Sequence, residues 1–164
     1  MSQRWCWKWP RHVVLAVAFC LLAAPAPAKG KLDFVENFKT GDLELDVSTY
    51  TDPEVAPYKV GLLGLAAGST RNSFAFRGDE WQTLIDLVAK AARAKASGIA
   101  WSVVGEMTET GTSDLSHLVV SAGSGIRFAL NSAKGASLTY VLAKADVPRF
   151  QRAIGKVKAY FAAR

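Results

Sequence analysis

The sequence has few of the residues that most often carry catalysis or bind metals. Only two cysteines and two histidines occur among its 164 residues. Cys6, Cys20 and His12 all lie within the first 28 residues, so the rest of the chain has no thiol and a single imidazole, His117. Thiol catalysis, cysteine-ligated zinc and disulfide bonds are therefore excluded for residues 29–164.

A hydrophobic run long enough to span a bilayer is also missing. The apolar run at 13–24 would cover about 18 Å as a helix, against the roughly 30 Å of a hydrocarbon core. Basic residues without an acid precede it, and Ala26-Pro27-Ala28 follows it. This order is typical of a secretory signal peptide over residues 1–28. We predict cleavage after Ala28, or alternatively after Ala26, and export to the periplasm or the medium. An uncleaved signal anchor is the other interpretation.

Charge is unevenly placed in the remaining chain. Residues 29–164 contain 17 basic and 14 acidic residues, a net charge of +3. Residues 29–58 hold three bases and seven acids, whereas residues 127–164 hold eight bases and one acid. The basic part can attract an anionic partner or pair with the acidic part of its own fold. Length and a 50% hydrophobic composition indicate one globular domain over 29–164.

Hydrophobic periodicity divides this domain into two similar halves, about 33–98 and 99–164. The first half shows strand periodicity at residues 43–47, 60–67 and 73–77. Helical spacing then follows an N-cap at Asp79 and ends near Gly98. Gly61 and Gly64 in the second strand indicate a bulge or a close backbone approach.

The second half repeats this order. Its predicted strands cover residues 99–107, 115–122, 126–130 and 138–142. Gly123-Ser124-Gly125 is a hairpin turn, and Asp146 caps the last helix, with Pro148 in the first turn. Neither half can bury its sheet face alone. We therefore expect an α+β fold in which two antiparallel sheets of three or four strands are each followed by a helix, around one core.

Short motifs in the first half carry a resemblance to a known family. They are Phe38-Lys39-Thr40-Gly41, Leu43–Val47, Tyr50–Glu54, Phe74–Phe76 and Asp79–Leu84. In this order they resemble the single-stranded-DNA-binding domain of the transcriptional coactivator positive cofactor four. The doubled arrangement of strands and helix resembles the related Whirly proteins. The resemblance covers residues 36–88 by motif and 99–161 by order of elements. It implies a Whirly-like fold, homo-oligomers and binding of single-stranded nucleic acid.

Lys39 and Trp81 are the positions that match this family's motif. The resemblance implies that Lys39 pairs with phosphate and that Trp81 stacks on a base. The alternative is that Trp81 anchors the core and Lys39 is a solvated charge. The sequence departs from the motif at Asp42, where the family has a second lysine, and the acidic first hairpin disfavours phosphate.

A second group of candidate ligand residues lies on the last helix. Arg149, Arg152 and Lys156 share one face, as an anion-binding stripe or as a merely solubilising surface. His117 has Asp114 and several serines nearby, but no Gly-x-Ser-x-Gly elbow presents a nucleophile. Neither a phosphate loop nor a set of metal ligands occurs.

These observations predict an exported binding module that is not an enzyme and uses no cofactor or metal. Its sheet faces are expected to hold an extended partner, either an unknown protein or a polyanion such as a single nucleic acid strand. The alternative is a structural protein of the cell envelope that acts through oligomerisation. An enzyme is the third interpretation, and it needs a cleft that encloses His117 and Asp114.

Overall fold

The computed structural model describes residues 30–52, 58–94, 100–109, 116–132 and 137–163. The predicted signal peptide and the predicted helix end at Gly98 lie outside these residues. Within the described ranges, no helix combines the length and the apolar character needed to cross a bilayer.

The first half of the described chain forms one antiparallel sheet followed by a helix. The strands are β1 (Lys31–Thr40), β2 (Leu43–Asp52), β3 (Tyr58–Ala67) and β4 (Thr70–Phe76), and the helix is α1 (Gly78–Arg93). The strands lie in sequence order, and we call them sheet A. Gly41 and Gly68 have φ values of 60° and 57° in the tight turns after β1 and β3, a backbone conformation that favours glycine.

The second half repeats this arrangement. Its strands are β5 (Ser102–Thr108), β6 (His117–Ala122), β7 (Gly125–Asn131) and β8 (Ser137–Ala143). They form sheet B, again in sequence order. A 3-10 turn at Lys144–Asp146 leads into α2 (Val147–Ala162). The predicted α+β fold is thus confirmed, with four strands in each sheet.

The periodicity analysis missed β1 because a bulge interrupts its alternation. The pairing of β1 with β2 shifts register between Phe34 and Glu36. Phe34 lies opposite Ser48 on the outer face of sheet A, whereas Phe38 is buried opposite Leu45 on the inner face. The extra residue at the bulge moves the apolar positions from one face to the other, so no single period of two runs along the strand.

Both helices start close to the predicted positions. The N-cap of α1 is Arg77 rather than Asp79, and the Arg77 backbone N–H donates a 2.7 Å hydrogen bond to Glu80 Oε2. Asp146 occupies the N-cap position of α2, but its side chain makes no capping hydrogen bond. Pro148 in the first turn removes one N–H that would otherwise need an acceptor.

The helices join the two halves through one shared core. Helix α1 follows sheet A but also contacts β5, β6 and β7 of sheet B, while α2 follows sheet B and contacts β1 and β2 of sheet A. The helices contact each other, and β8 contacts β2 and β3. Buried side chains from both halves form one hydrophobic cluster. Each sheet therefore depends on the other half to cover its inner face.

Trp81 of α1 lies within this shared core and is fully buried. Its indole Nε1 donates a 2.8 Å hydrogen bond to the backbone oxygen of Ile154 on α2. Its ring meets Phe76 edge-on, with centroids 5.1 Å apart. A Cβ at Gly61 would lie 2.6 Å from Trp81 Cε3. The glycine therefore allows a close approach, here by the indole side chain, without a bulge between β2 and β3.

We expect Trp81→Phe to lower the free energy of unfolding by about 1–3 kcal/mol, because the variant loses a buried hydrogen bond between the two helices. Urea denaturation measures this loss. Trp101→Phe is the matched control, since Trp101 is only partly buried, and its effect should be smaller. Equal losses in the two variants would contradict a central role for Trp81.

Candidate functional site

The candidate ligand residues at Lys39 and Trp81 do not form a common site. Lys39 is exposed, and its Nζ lies 2.7 Å from Glu44 Oε1 on β2. This contact lowers the pKa of Glu44. Trp81 is fully buried and presents no ring face to solvent. A stacking role for Trp81 does not fit this burial, and the indole packs the core instead.

Arg149 on α2 is engaged within the fold. Its Nη2 donates hydrogen bonds to Glu36 Oε1 at 2.7 Å and to the Asn37 backbone oxygen at 2.8 Å. Its guanidinium also lies over the ring of Phe38, 4.5 Å from the centroid. The hydrogen bonds from Arg149 and from the Asn37 backbone lower the pKa of Glu36 to about 2, and the charge of Lys156 adds to this. Arg149 therefore ties α2 to β1.

All three residues of the predicted stripe on α2 are exposed, and Arg149 among them is paired with Glu36. Arg152 and Lys156 are the two other cations of the stripe. Arg149, from the basic C-terminal part, thus pairs with Glu36, from the acidic N-terminal part. Pairing within the fold was one of the two interpretations of the uneven charge, the other being attraction of an anionic partner.

The residues of the hypothetical enzyme site are only partly described. His117 begins β6 and is exposed, and its Nδ1 lies 3.1 Å from Thr108 Oγ1 across the strand pair. Asp114 lies outside the described residues. No group of three or more histidine, aspartate or glutamate side chains in the described ranges is placed to hold a metal ion.

The outer face of sheet A carries a groove of about 170 Å³. Its lining residues come from all four strands: Leu32, Phe34, Asp46, Ser48, Leu62, Gly64, Arg71 and Ser73. Phe34 is 61% exposed and Leu32 is 45% exposed. Two large apolar side chains of the edge strand β1 therefore line this groove and are exposed to solvent.

Asp46 is a buried carboxylate in this groove. It is only 3% exposed, and its Oδ1 accepts no hydrogen bond. Arg71 Nη2 lies 3.1 Å from Oδ1 but is not aligned as a hydrogen-bond donor. Its carboxylate lies against Gly64, where any Cβ would collide with it. Burial raises the pKa of Asp46, and this effect outweighs the attraction of Arg71.

Charges around Asp46 form a short network on the outer face of sheet A. Glu44 lies between Lys39, at 2.7 Å, and Arg71, at 3.6 Å. Both cations are on long side chains that are about half or more exposed, at 64% and 48%. The groove therefore combines a buried carboxylate, Asp46, with one cation that solvent reaches, Arg71.

A different cluster lies on the open face of sheet B. The Arg127 guanidinium lies 5.2 Å from the Trp101 ring centroid, and its Nη2 donates a 3.4 Å hydrogen bond to Ser121 Oγ. Its buried Nε has no hydrogen-bond partner. The Trp101 ring also packs against Gly123, where a Cβ would lie 2.8 Å from Trp101 Cε3. The indole is thus packed between neighbours of its own fold and is partly buried.

Sequence reasoning missed both Asp46 and the Arg127–Trp101 pair. Asp46 alternates with the apolar residues Leu45 and Val47, a pattern that normally places a polar residue in solvent. The available signal was Gly64, which indicated a close approach without showing which group approaches.

Comparison with known proteins adds no functional assignment. No protein-family model matches the chain, and no curated protein matches its sequence significantly. The interpretation of the groove therefore rests on its geometry and chemistry.

We expect Asp46→Asn to raise the free energy of unfolding at pH 7. Because the folded state raises the pKa of Asp46, its ionised form destabilises the fold above the ordinary pKa of 3.8. The advantage of the variant should shrink as pH falls towards 3.8. Urea denaturation at several pH values measures this difference.

Glu36→Gln is the matched comparison and should show the opposite sign. The pKa of Glu36 falls from 4.5 to about 2 on folding, so its ionised form stabilises the fold above pH 4.5. That contribution is lost as pH falls towards 2. Glu36→Gln should thus be less stable than the wild type at pH 7 and similar to it near pH 2. The same sign for both variants at pH 7 would refute this assignment.

Proposed function

We propose that the protein is an exported binding module without catalytic activity, which holds an extended segment of a partner polypeptide along the edge strand β1 and against the outer face of sheet A. The observation that carries this proposal is the pair of exposed side chains Phe34 and Leu32 beside the groove. Apolar side chains grouped on a surface and rimmed by polar residues mark interaction sites. The rim here is polar, with Ser48, Ser73 and Arg71.

The position of β1 supports a polypeptide as the partner. β1 is an outer strand of sheet A in the described chain, so backbone donors and acceptors along its free side can pair with an added strand. Successive side chains of such a strand point to opposite faces of the sheet. Every second side chain would then lie on the same face as Leu32 and Phe34. Backbone pairing would supply affinity and the groove would supply specificity.

The charged positions favour a polypeptide over a nucleic acid strand. Lys39 and Arg149 pair with Glu44 and Glu36, and Trp81 is buried. Lys39 and Trp81, the positions that the family resemblance assigns to nucleic acid, are thus engaged within the fold, and so is Arg149 of the basic stripe on α2. Binding of a polyanion would fall to the exposed cations of α2.

A second candidate function is assembly with further copies of the same chain. It is favoured by the length of β1, which has ten residues and exposes two apolar side chains. Long edge strands with exposed apolar side chains pair readily with the same strand of another chain. Pairing of β1 with β1 of a second copy would join two sheets A about a twofold axis, as expected for an envelope protein that acts through oligomerisation.

Selection from a random peptide display library tests the main proposal. Peptides selected on the chain from residue 29 should bind Phe34→Asp at least about tenfold more weakly, because a charge replaces the apolar border of the groove. Val103→Asp is the matched control, since Val103 is 58% exposed on sheet B, and binding to it should be unchanged. Equal binding to both variants, or no selected peptide, would refute the proposal.

Sedimentation velocity tests the assembly candidate. If β1 joins two copies, the wild-type chain sediments as a dimer and Phe34→Asp as a monomer, while Val103→Asp remains dimeric. A monomeric wild type at all concentrations would exclude this candidate.

Titration with a fluorescent oligonucleotide tests the polyanion alternative. Under the polypeptide proposal we expect no salt-dependent binding. Binding that weakens steeply with salt and is lost in the double variant Arg152→Ser/Lys156→Ser would replace the polypeptide proposal with binding of a polyanion by α2.

A further inference from the structure

The size of the groove over Asp46 limits what can enter it. Its volume of about 170 Å³ is close to that of a protein cavity that holds a benzene-sized group, roughly 150 Å³. The groove thus accommodates a single side chain, and a nucleotide is too large for it.

The lining of the groove separates apolar from polar groups. Leu32, Phe34 and Leu62 supply the apolar surface, while Asp46 supplies a carboxylate oxygen without a hydrogen bond. Such a buried acceptor is costly unless a donor reaches it. A complementary ligand therefore carries an apolar stem and ends in a hydrogen-bond donor.

Charge decides which donor fits best. A carboxylate ligand could approach Arg71, but it would lie beside the carboxylates of Asp46 and Glu44 and be repelled. A cationic ligand could donate a charge-assisted hydrogen bond to Asp46 Oδ1, which is stronger than a neutral one. Asp46 Oδ1 is closed to solvent, and Arg71 Nη2 lies 3.1 Å from it. Because Arg71 is 48% exposed and also lies 3.6 Å from Glu44, it can turn to Glu44 and leave its place at Asp46 to the ammonium of a ligand.

We propose that this groove is a subsite for a basic side chain of the partner polypeptide, in which a primary ammonium contacts Asp46 Oδ1 and its methylene stem packs against Leu32, Phe34 and Leu62. This subsite rests on the proposed function. It adds the chemistry that the partner must present, which is a lysine-like side chain on the part of the segment that lies over the outer face of sheet A.

Small amphiphiles test the subsite independently of any peptide. The probes are n-pentylammonium and pentanoate, which share a stem and differ in the charge of the head group. Titration followed by two-dimensional amide NMR of the chain from residue 29 should shift the amides of Asp46, Ser48 and Leu62. We expect pentylammonium to bind at least about tenfold more tightly than pentanoate.

Asp46→Asn should weaken binding of pentylammonium about tenfold, because the neutral amide lacks the charge. This variant is expected to fold, since the ionised Asp46 is itself destabilising. Asp42→Asn makes the same change in an exposed turn residue of sheet A that does not line the groove, and its affinity should match that of the wild type. Equal binding of the two probes, no shift of the groove amides, or no effect of Asp46→Asn would overturn the subsite.

The selected peptides separate failure of the subsite from failure of the proposed function. Replacing their basic residue by norleucine, which lacks the ammonium, should weaken binding to the wild type about tenfold. The same replacement should have little effect on binding to Asp46→Asn. Peptides that bind at Phe34 but need no basic residue would overturn the subsite and leave the binding module standing. If instead the peptides bind Phe34→Asp as well as the wild type, or no peptide binds, while pentylammonium still binds at Asp46, the proposed binding module alone would be overturned.

Discussion

The whole structure depends on burial of the inner faces of two sheets that neither half can cover by itself. Helix α1 reaches from sheet A to sheet B, and α2 reaches from sheet B to sheet A. The hydrogen bond from Trp81 to the backbone of Ile154 joins the helices where they meet. At the periphery, Tyr160 of α2 donates a 3.0 Å hydrogen bond to the Tyr50 backbone oxygen on β2. The two halves are therefore similar in sequence pattern but are not independent units.

The order of elements could be predicted because it depends on local rules. Alternating apolar residues, turn glycines and the aspartate before α2 indicate strands, turns and a helix start without knowledge of distant contacts. β1 could not be recognised in this way, because its bulge places Phe34 and Phe38 on opposite faces although both have even spacing. The N-cap of α1 lies two residues before the predicted Asp79, because the carboxylate of Glu80 accepts a hydrogen bond from the backbone N–H of Arg77.

The groove was harder to predict because burial of Asp46 is a property of three strands together. Its own neighbours, Leu45 and Val47, indicate an ordinary polar residue on an open sheet face. Burial follows from Gly64 on β3, which leaves space for the carboxylate, and from the side chains of β1 beside it. The bulge connects these facts, because it also turns Leu32 and Phe34 to the outer face. The irregularity that hides β1 from periodicity analysis thus builds the apolar border of the groove.

The reach of α2 across to β1 also sets the order in which the chain can fold during its synthesis. Arg149 bonds to Glu36, 113 residues earlier, and such distant pairings are slow to form because a long loop must close first. Strands β1 to β4 are synthesised well before α2. Part of the inner face of sheet A therefore stays uncovered until residues 147–162 have been made and have packed against β1 and β2.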